Sequence, residues 1–272
     1  MIRTITILFI AALALASCRS QDLIRPGDTL EEAFEKAMNQ YENENYSEAA
    51  RAFETVISIG RGTDIGQDAQ FYLAESHFYN RRYLIAASEY SRYVQFHPNS
   101  TRRELADFRE AISYYHLSPR YKLDQTYTNR AIERFRLFNS RHPNSERADE
   151  AAEYISELRD KLARRDYNAA EFYMRTNRYN SAAIYYDLVI DNYPESSYAE
   201  RSLYRQIEAY VLYAENSVER RQEERFEKAL DSYSTFLQLF PQGEYRSRAE
   251  DLYDRAQRGV QRVRERDSVA QN

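Results

Sequence analysis

One cysteine, four histidines and 25 tyrosines are the side chains from which this 272-residue chain could build chemistry. The histidines, His77, His97, His116 and His142, are scattered. His97 and His142 each directly precede a proline, Pro98 and Pro143, so a helix-end role outweighs metal binding. The sequence has no glycine-rich phosphate loop, no HExxH and no G-x-S-x-G. Its many carboxylates suit i,i+4 pairing with arginine on helix surfaces, and spacing alone singles out no acid–base couple. A non-enzyme is therefore expected, with no catalytic residue, metal, cofactor or small-molecule substrate.

The cysteine has a different chemistry. Arg3, the apolar run Ile5 to Ala16 and the small Ser17 have the order of a secretory signal, too short to span a bilayer. Cys18 follows and is the only cysteine, so it has no disulfide partner within the chain. Leu15-Ala16-Ser17-Cys18 looks like a bacterial lipobox, cut before the cysteine, whose sulfur then carries a diacylglycerol. Acylation of the new amino terminus would make the membrane anchor firm. Residues 1–17 are thus expected to be a signal peptide and 18–27 a lipidated tether.

The tyrosines, with 13 Phe and no Trp, could do recognition chemistry. A tyrosine contributes large contact area at low entropy cost. Tyr72, Tyr79, Tyr114 and Tyr115, with Glu75 beside them, fall where a groove-lining helix is expected, and the other aromatics read mainly as core. The doublets Tyr114-Tyr115 and Tyr185-Tyr186 cannot both point inward, so one of each should be more exposed. Asp124-Gln125-Thr126 reads as a helix start capped by Asp124, or as a recognition loop. The net charge of −5 argues against nucleic acid as a partner.

The elements that must position these residues emerge from a repeat. Tyr46, Ala49, Ala50, Phe53 and Val56 lie at offsets 0, 3, 4, 7 and 10, one face of an α-helix. The same stripe starts at Tyr83, Thr128, Tyr179 and Phe226. A proline fifteen residues on closes four copies (Pro98, Pro143, Pro194, Pro241), and Ser100, Ser145 and Ser196 stand ready to start the next helix. The copies are longer than a plain tetratricopeptide repeat of about 34 residues. The expected fold is all-α: a tetratricopeptide-like α-solenoid of five helix pairs plus a C-terminal capping helix. Its units fall at about 28–62, 66–98, 101–143, 146–194 and 197–241, with the cap at 244–265 and a flexible tail at 266–272. Residues 118–126 lengthen one turn, 147–177 read as one long helix, and 215–225 extend another turn.

The lipobox, five such units and a cap together resemble the BamD/YfiO family of outer-membrane assembly lipoproteins. Specific phrases carry the likeness: Gln67-Asp68-Ala69 with Phe71-Tyr72-Leu73-Ala74, Leu123-Asp124-Gln125-Thr126, Pro143-Asn144-Ser145 followed by Leu158-Arg159-Asp160-Lys161-Leu162-Ala163, and Tyr179 with Ala182 and Ala183. Ala214-Glu215-Asn216-Ser217 and Glu224-Arg225-Phe226 resemble the Bacteroidota-type version. The resemblance implies a periplasm-facing subunit of the β-barrel assembly machinery, lipid-anchored in the outer membrane. Its N-terminal units would receive unfolded outer-membrane β-barrel proteins, and its C-terminal units would dock the Omp85-type (BamA-type) barrel subunit. Where some relatives carry an arginine facing that subunit, the matching position here is Tyr185, so the salt bridge is not carried over. The alternative is a periplasmic repeat lipoprotein that scaffolds cell-envelope or peptidoglycan enzymes. A glycan-binding lipoprotein of the SusD type is disfavoured by the absence of Trp.

Overall fold

A computed structural model of the protein describes residues 23–270. The signal-peptide and Cys18 readings lie outside them. Eleven α-helices run through the described residues: α1 (Leu30–Glu42), α2 (Tyr46–Ile59), α3 (Asp64–Tyr79), α4 (Tyr83–Phe96), α5 (Arg103–Leu117), α6 (Thr126–Arg141), α7 (Ala148–Arg175), α8 (Tyr179–Asn192), α9 (Ala199–Glu215), α10 (Gln222–Leu239) and α11 (Arg246–Ala270). None is long and apolar enough to cross a membrane. The class is the all-α, tetratricopeptide-like solenoid, with helices packed in consecutive pairs.

Local chemistry sets the helix ends. Thr29 caps α1 in a capping box: its hydroxyl accepts the Glu32 N–H at 3.2 Å, and Glu32 accepts the Thr29 N–H at 2.9 Å. The turns α1–α2, α3–α4 and α7–α8 share one geometry, with Glu44, Arg81 and Asn177 at φ 61°, 59° and 57°. In each, the next N–H reaches back to a carbonyl five residues earlier: Asn45 to Gln40, Arg82 to His77, Arg178 to Tyr173. Between pairs, the serine two residues after Pro98, Pro143 and Pro194 does what its position suggests. Ser100, Ser145 and Ser196 accept the N–H of Arg102, Arg147 and Tyr198 at 3.1, 3.1 and 3.3 Å. His97 and His142 end α4 and α6 and lie against Tyr93 and Phe138 of their own helices, 5.0 and 5.2 Å between rings.

Two sequence expectations change at the termini. Ile24, read as tether, packs against the core formed by α1 to α3, because an apolar side chain beside that core gains by burial. The last helix continues past Asp267 to Ala270, and Arg266 there pairs with Glu219 at 2.8 Å.

The described residues form two compact units that divide between Ser113 and Tyr114, within α5. In the first, the small residues Ala33, Ala37, Ala49, Ala50 and Ala69 let α1, α2 and α3 approach around Phe53 and Val56. At the α2–α3 turn a Cβ on Gly66 would lie 2.0 Å from the Gly60 carbonyl oxygen, so only glycine fits. In the second, one cluster joins α7, α8 and α9 around Tyr186 and Val189, and another joins α9, α10 and α11 around Phe236 and Ile207. Phe226 lies so close to α11 that a Cβ on Gly259 would come within 2.5 Å of its ring.

At offset seven, the residue in four of the five stripes obeys a rule of chemistry as well as size. Where it is Phe, a tyrosine nineteen residues on stacks against it. Phe53 meets Tyr72 at 5.8 Å and 19°, and Phe135 meets Tyr154 at 5.0 Å and 15°. Where it is Tyr90 or Tyr186, the residue nineteen on is arginine, and a glutamate fifteen residues earlier accepts the hydroxyl. Glu75, Tyr90 and Arg109 form one such node, and Glu171, Tyr186 and Arg205 the other. A buried tyrosine hydroxyl needs an acceptor, and a buried carboxylate needs a cation, so the three residue types come together.

Candidate partner-binding face

In the N-terminal unit, the Glu75 node supports four tyrosines from three helices. Glu75 is buried in α3 and accepts hydrogen bonds from Tyr90 and, at 3.4 Å, from Tyr41. Arg109 lies 3.4 Å from the same carboxylate, over the Phe78 ring at 4.7 Å, and donates to the Tyr79 hydroxyl at 3.1 Å. Tyr41 meets Tyr72 edge-on at 5.3 Å, and Tyr46 stacks on Tyr79 at 5.3 Å and 23°. Burial pushes the Tyr41 hydroxyl far above the ordinary tyrosine range, and the Glu75 charge adds to this. It therefore stays a donor at any physiological pH.

The layer above the node is open. Tyr79 is 41% exposed, while Tyr41, Tyr46 and Tyr72 are half-buried. Tyr72 contributes an edge but is held by Phe34 and Phe53, so it belongs partly to the core. Glu75, a sequence candidate for partner contact, works from beneath: its oxygens are spent on Tyr41, Tyr90 and Arg109. Sequence reasoning missed Tyr41, Tyr46 and Arg109. The signal available was the glutamate fifteen residues before Tyr90 and the arginine nineteen after it.

The other candidates lie in the C-terminal unit and do not form one site. Tyr114 is buried and stacks on Tyr127 at 6.3 Å, so it is unavailable as a groove residue. Its neighbour Tyr115 is half-exposed, donates to Glu157 at 2.9 Å and lies 4.6 Å from the Tyr154 ring. Burial, with the Glu157 carboxylate adding, pushes its hydroxyl up to about 12. Asp124 is not the cap of α6. It stands one residue before the cap, Gln125, and accepts the Thr126 N–H at 3.0 Å. Gln125 is buried, and its amide donates to the carbonyls of Arg120 and Leu123 at 3.0 and 2.7 Å. It fastens the loop and is not free for a partner. Tyr185 is half-buried against Tyr173 at 5.0 Å, while Tyr186 is fully buried.

Comparison with known proteins decides the family. A family model described as YfiO, outer membrane lipoprotein, matches residues 26–225. The chain belongs to the YfiO family. As a YfiO protein it is an outer membrane lipoprotein. It is 24% identical over 214 residues to the outer membrane protein assembly factor BamD of Rickettsia prowazekii, covering 77% of this chain and 84% of that protein. It is 25% identical over 285 residues to the putative outer membrane protein assembly factor BamD of Aquifex aeolicus, covering 97% and 92%. Among solved structures, the TPR domain of P58(IPK) covers 89% of this chain with 67% of its own length, at 15% identity and TM-score 0.41. The TPR2AB domain of yeast Sti1 covers 85% with all of its length, at 13% identity and TM-score 0.40.

Proposed function

We propose that this YfiO protein is an outer-membrane protein assembly factor of the BAM complex that acts by binding, without a catalytic step. The face of Tyr41, Tyr46 and Tyr79 receives unfolded outer-membrane β-barrel polypeptide. The observation that carries this reading is a partly exposed tyrosine layer held rigid by the buried Glu75 and its half-buried partner Arg109, so the rings meet a peptide at little entropy cost. The mature chain is moored through lipid on Cys18.

The periplasmic domain of the Omp85-type barrel subunit docks on the C-terminal unit around Tyr173 and Tyr185. Exposed apolar residues neighbour that pair in sequence: Phe172 and Ile184, 52% and 51% exposed. We read the chain as the Bacteroidota-type version on the phrases Ala214-Glu215-Asn216-Ser217 and Glu224-Arg225-Phe226; in this chain Arg225 bonds Ser217 and lies 3.7 Å over the Tyr213 ring. Copurification from detergent-solubilised membranes tests the docking site. Ile184→Glu is expected to lose the barrel subunit while the variant stays folded and membrane-bound. Undiminished copurification would remove this surface from the proposal, and capture of peptidoglycan enzymes in place of a barrel subunit would favour the cell-envelope scaffold.

A further inference from the structure

The loop between α5 and α6 is far more firmly built than a connection requires. Gln125 ties the carbonyls of Arg120 and Leu123 from inside, and the Thr128 hydroxyl donates to the Gln125 side-chain oxygen at 2.7 Å. The Ser118 and Thr128 hydroxyls share a 2.5 Å hydrogen bond, and Lys161 of α7 donates to Ser118 at 2.9 Å. A half-buried Tyr121 lies under the Arg164 guanidinium, 4.5 Å from ring centre to carbon, with the Lys122 ammonium at 5.7 Å. Leu123 at the tip is 61% exposed. None of this is needed to join two helices, as the three-residue turns elsewhere in the chain demonstrate.

Within residues 118–125 the cations Arg120 and Lys122 outnumber the single carboxylate, Asp124. Along α7 and α9, Arg159, Arg165 and Arg205 are each paired with a carboxylate. Arg120, Lys122 and Arg164 form no ion pair among the described residues. The one carboxylate in the loop, Asp124, is committed to Thr126, whose hydrogen bonds hold it below the usual carboxylate range. A guanidinium lying over a ring keeps its N–H edge free, and that edge fits a carboxylate with two parallel hydrogen bonds.

We infer that the α5–α6 loop is a preformed docking site for an acidic polypeptide segment, with Arg120, Lys122 and Arg164 meeting its carboxylates and Leu123 meeting an apolar side chain. A polypeptide fits better than an anionic bilayer. Membrane insertion needs a broad apolar face, and here a single leucine is offered on a loop held rigid. The site shares no residue with the tyrosine face of the N-terminal unit, and the two proposals succeed or fail independently.

The test uses the full mature chain in detergent and fluorescence anisotropy with a labelled peptide of repeated Glu-Leu-Glu. Its Lys-Leu-Lys counterpart serves as the second probe, and phosphatidylglycerol vesicles as the third, the vesicles being used without detergent on a Cys18→Ser chain that lacks the anchor. The glutamate peptide should bind, weaken with added salt, and lose affinity about tenfold or more in the Lys122→Gln/Arg164→Gln double variant, whose exposed side chains leave the fold intact. Gln125→Ala, which frees the loop without changing charge, should weaken it as well. Equal affinity of the double variant and the parent overturns the inference, as does equal binding of the lysine peptide. Vesicle binding that the double variant abolishes, with no peptide binding, assigns the loop to the membrane and overturns it too.

Discussion

Phe135→Ala is expected to destabilise the C-terminal unit by about 3–5 kcal/mol, the range for truncating a fully buried aromatic. Phe135 has no exposed surface and stacks on Tyr154 at 5.0 Å, so alanine loses the burial, the ring contact and the filled space together. Urea unfolding should show a lower midpoint at unchanged slope. The informative companion is Phe135→Tyr. It keeps the ring but adds a hydroxyl to a side chain that has no exposed surface, so the new oxygen must be desolvated. It should still cost about 1–3 kcal/mol, the desolvation penalty of an unsatisfied hydroxyl. If Phe135→Tyr is as stable as the parent, the link between residue type and node chemistry is wrong.

Arg205→Met is expected to cost about 2–3 kcal/mol near pH 7. Removing one partner of a buried ion pair costs more, but Arg205 and Glu171 each keep 22% of their side-chain surface in water. The variant leaves Glu171 with Tyr186 as its main donor, and methionine fills much of the volume. The pH dependence is the sharper signature. Burial alone would raise the Glu171 pKa, but hydrogen bonds from Tyr186 and Arg205, with the arginine charge, hold it below 4.5. A carboxylate with a depressed folded pKa stabilises above its unfolded pKa, and that contribution fades as pH falls through the folded value. In Arg205→Met the burial effect dominates and the Glu171 pKa rises. The stability gap between parent and variant should therefore be widest at pH 7, begin to shrink as pH falls through the variant's raised Glu171 pKa, and be smallest below the parent's lowered one. A gap that is the same at pH 7 and pH 3.5 would show that the lost methylene packing, not the charge pair, sets the cost.

These nodes mark where the sequence was legible and where it was not. The stripe at offsets 0, 3, 4, 7 and 10 is a property of one helix, so Ala49, Phe53, Ala182 and Val189 could be placed in the core from spacing alone. Pro98 and Ser100 act on their immediate neighbours, and their roles were equally readable. Glu75 was not. A charged residue in a helix is usually solvated, and its burial depends on Tyr90 and Arg109, brought to it by two other helices. Gln125 and Tyr114 were misplaced for the same reason: each looks like a surface residue until the loop carbonyls and the Tyr127 ring stand beside it. The Phe-with-Tyr and Tyr-with-Arg pairing could have been found by aligning the copies at the seventh position. The fifth copy departs from it, since Leu252 stands nineteen residues after Tyr233 and the ring contact goes to Tyr253 at 4.5 Å.

The tyrosine face is tested most directly by a photoreactive side chain placed at position 79 in the membrane-bound protein, with another at Glu54 on α2 as a control. During outer-membrane biogenesis, position 79 should crosslink to unfolded β-barrel polypeptides, and Tyr46→Ala should weaken that crosslink several-fold while folding is retained. Crosslinks of equal strength from both positions, or none from position 79, would contradict the claim that this face grips polypeptide.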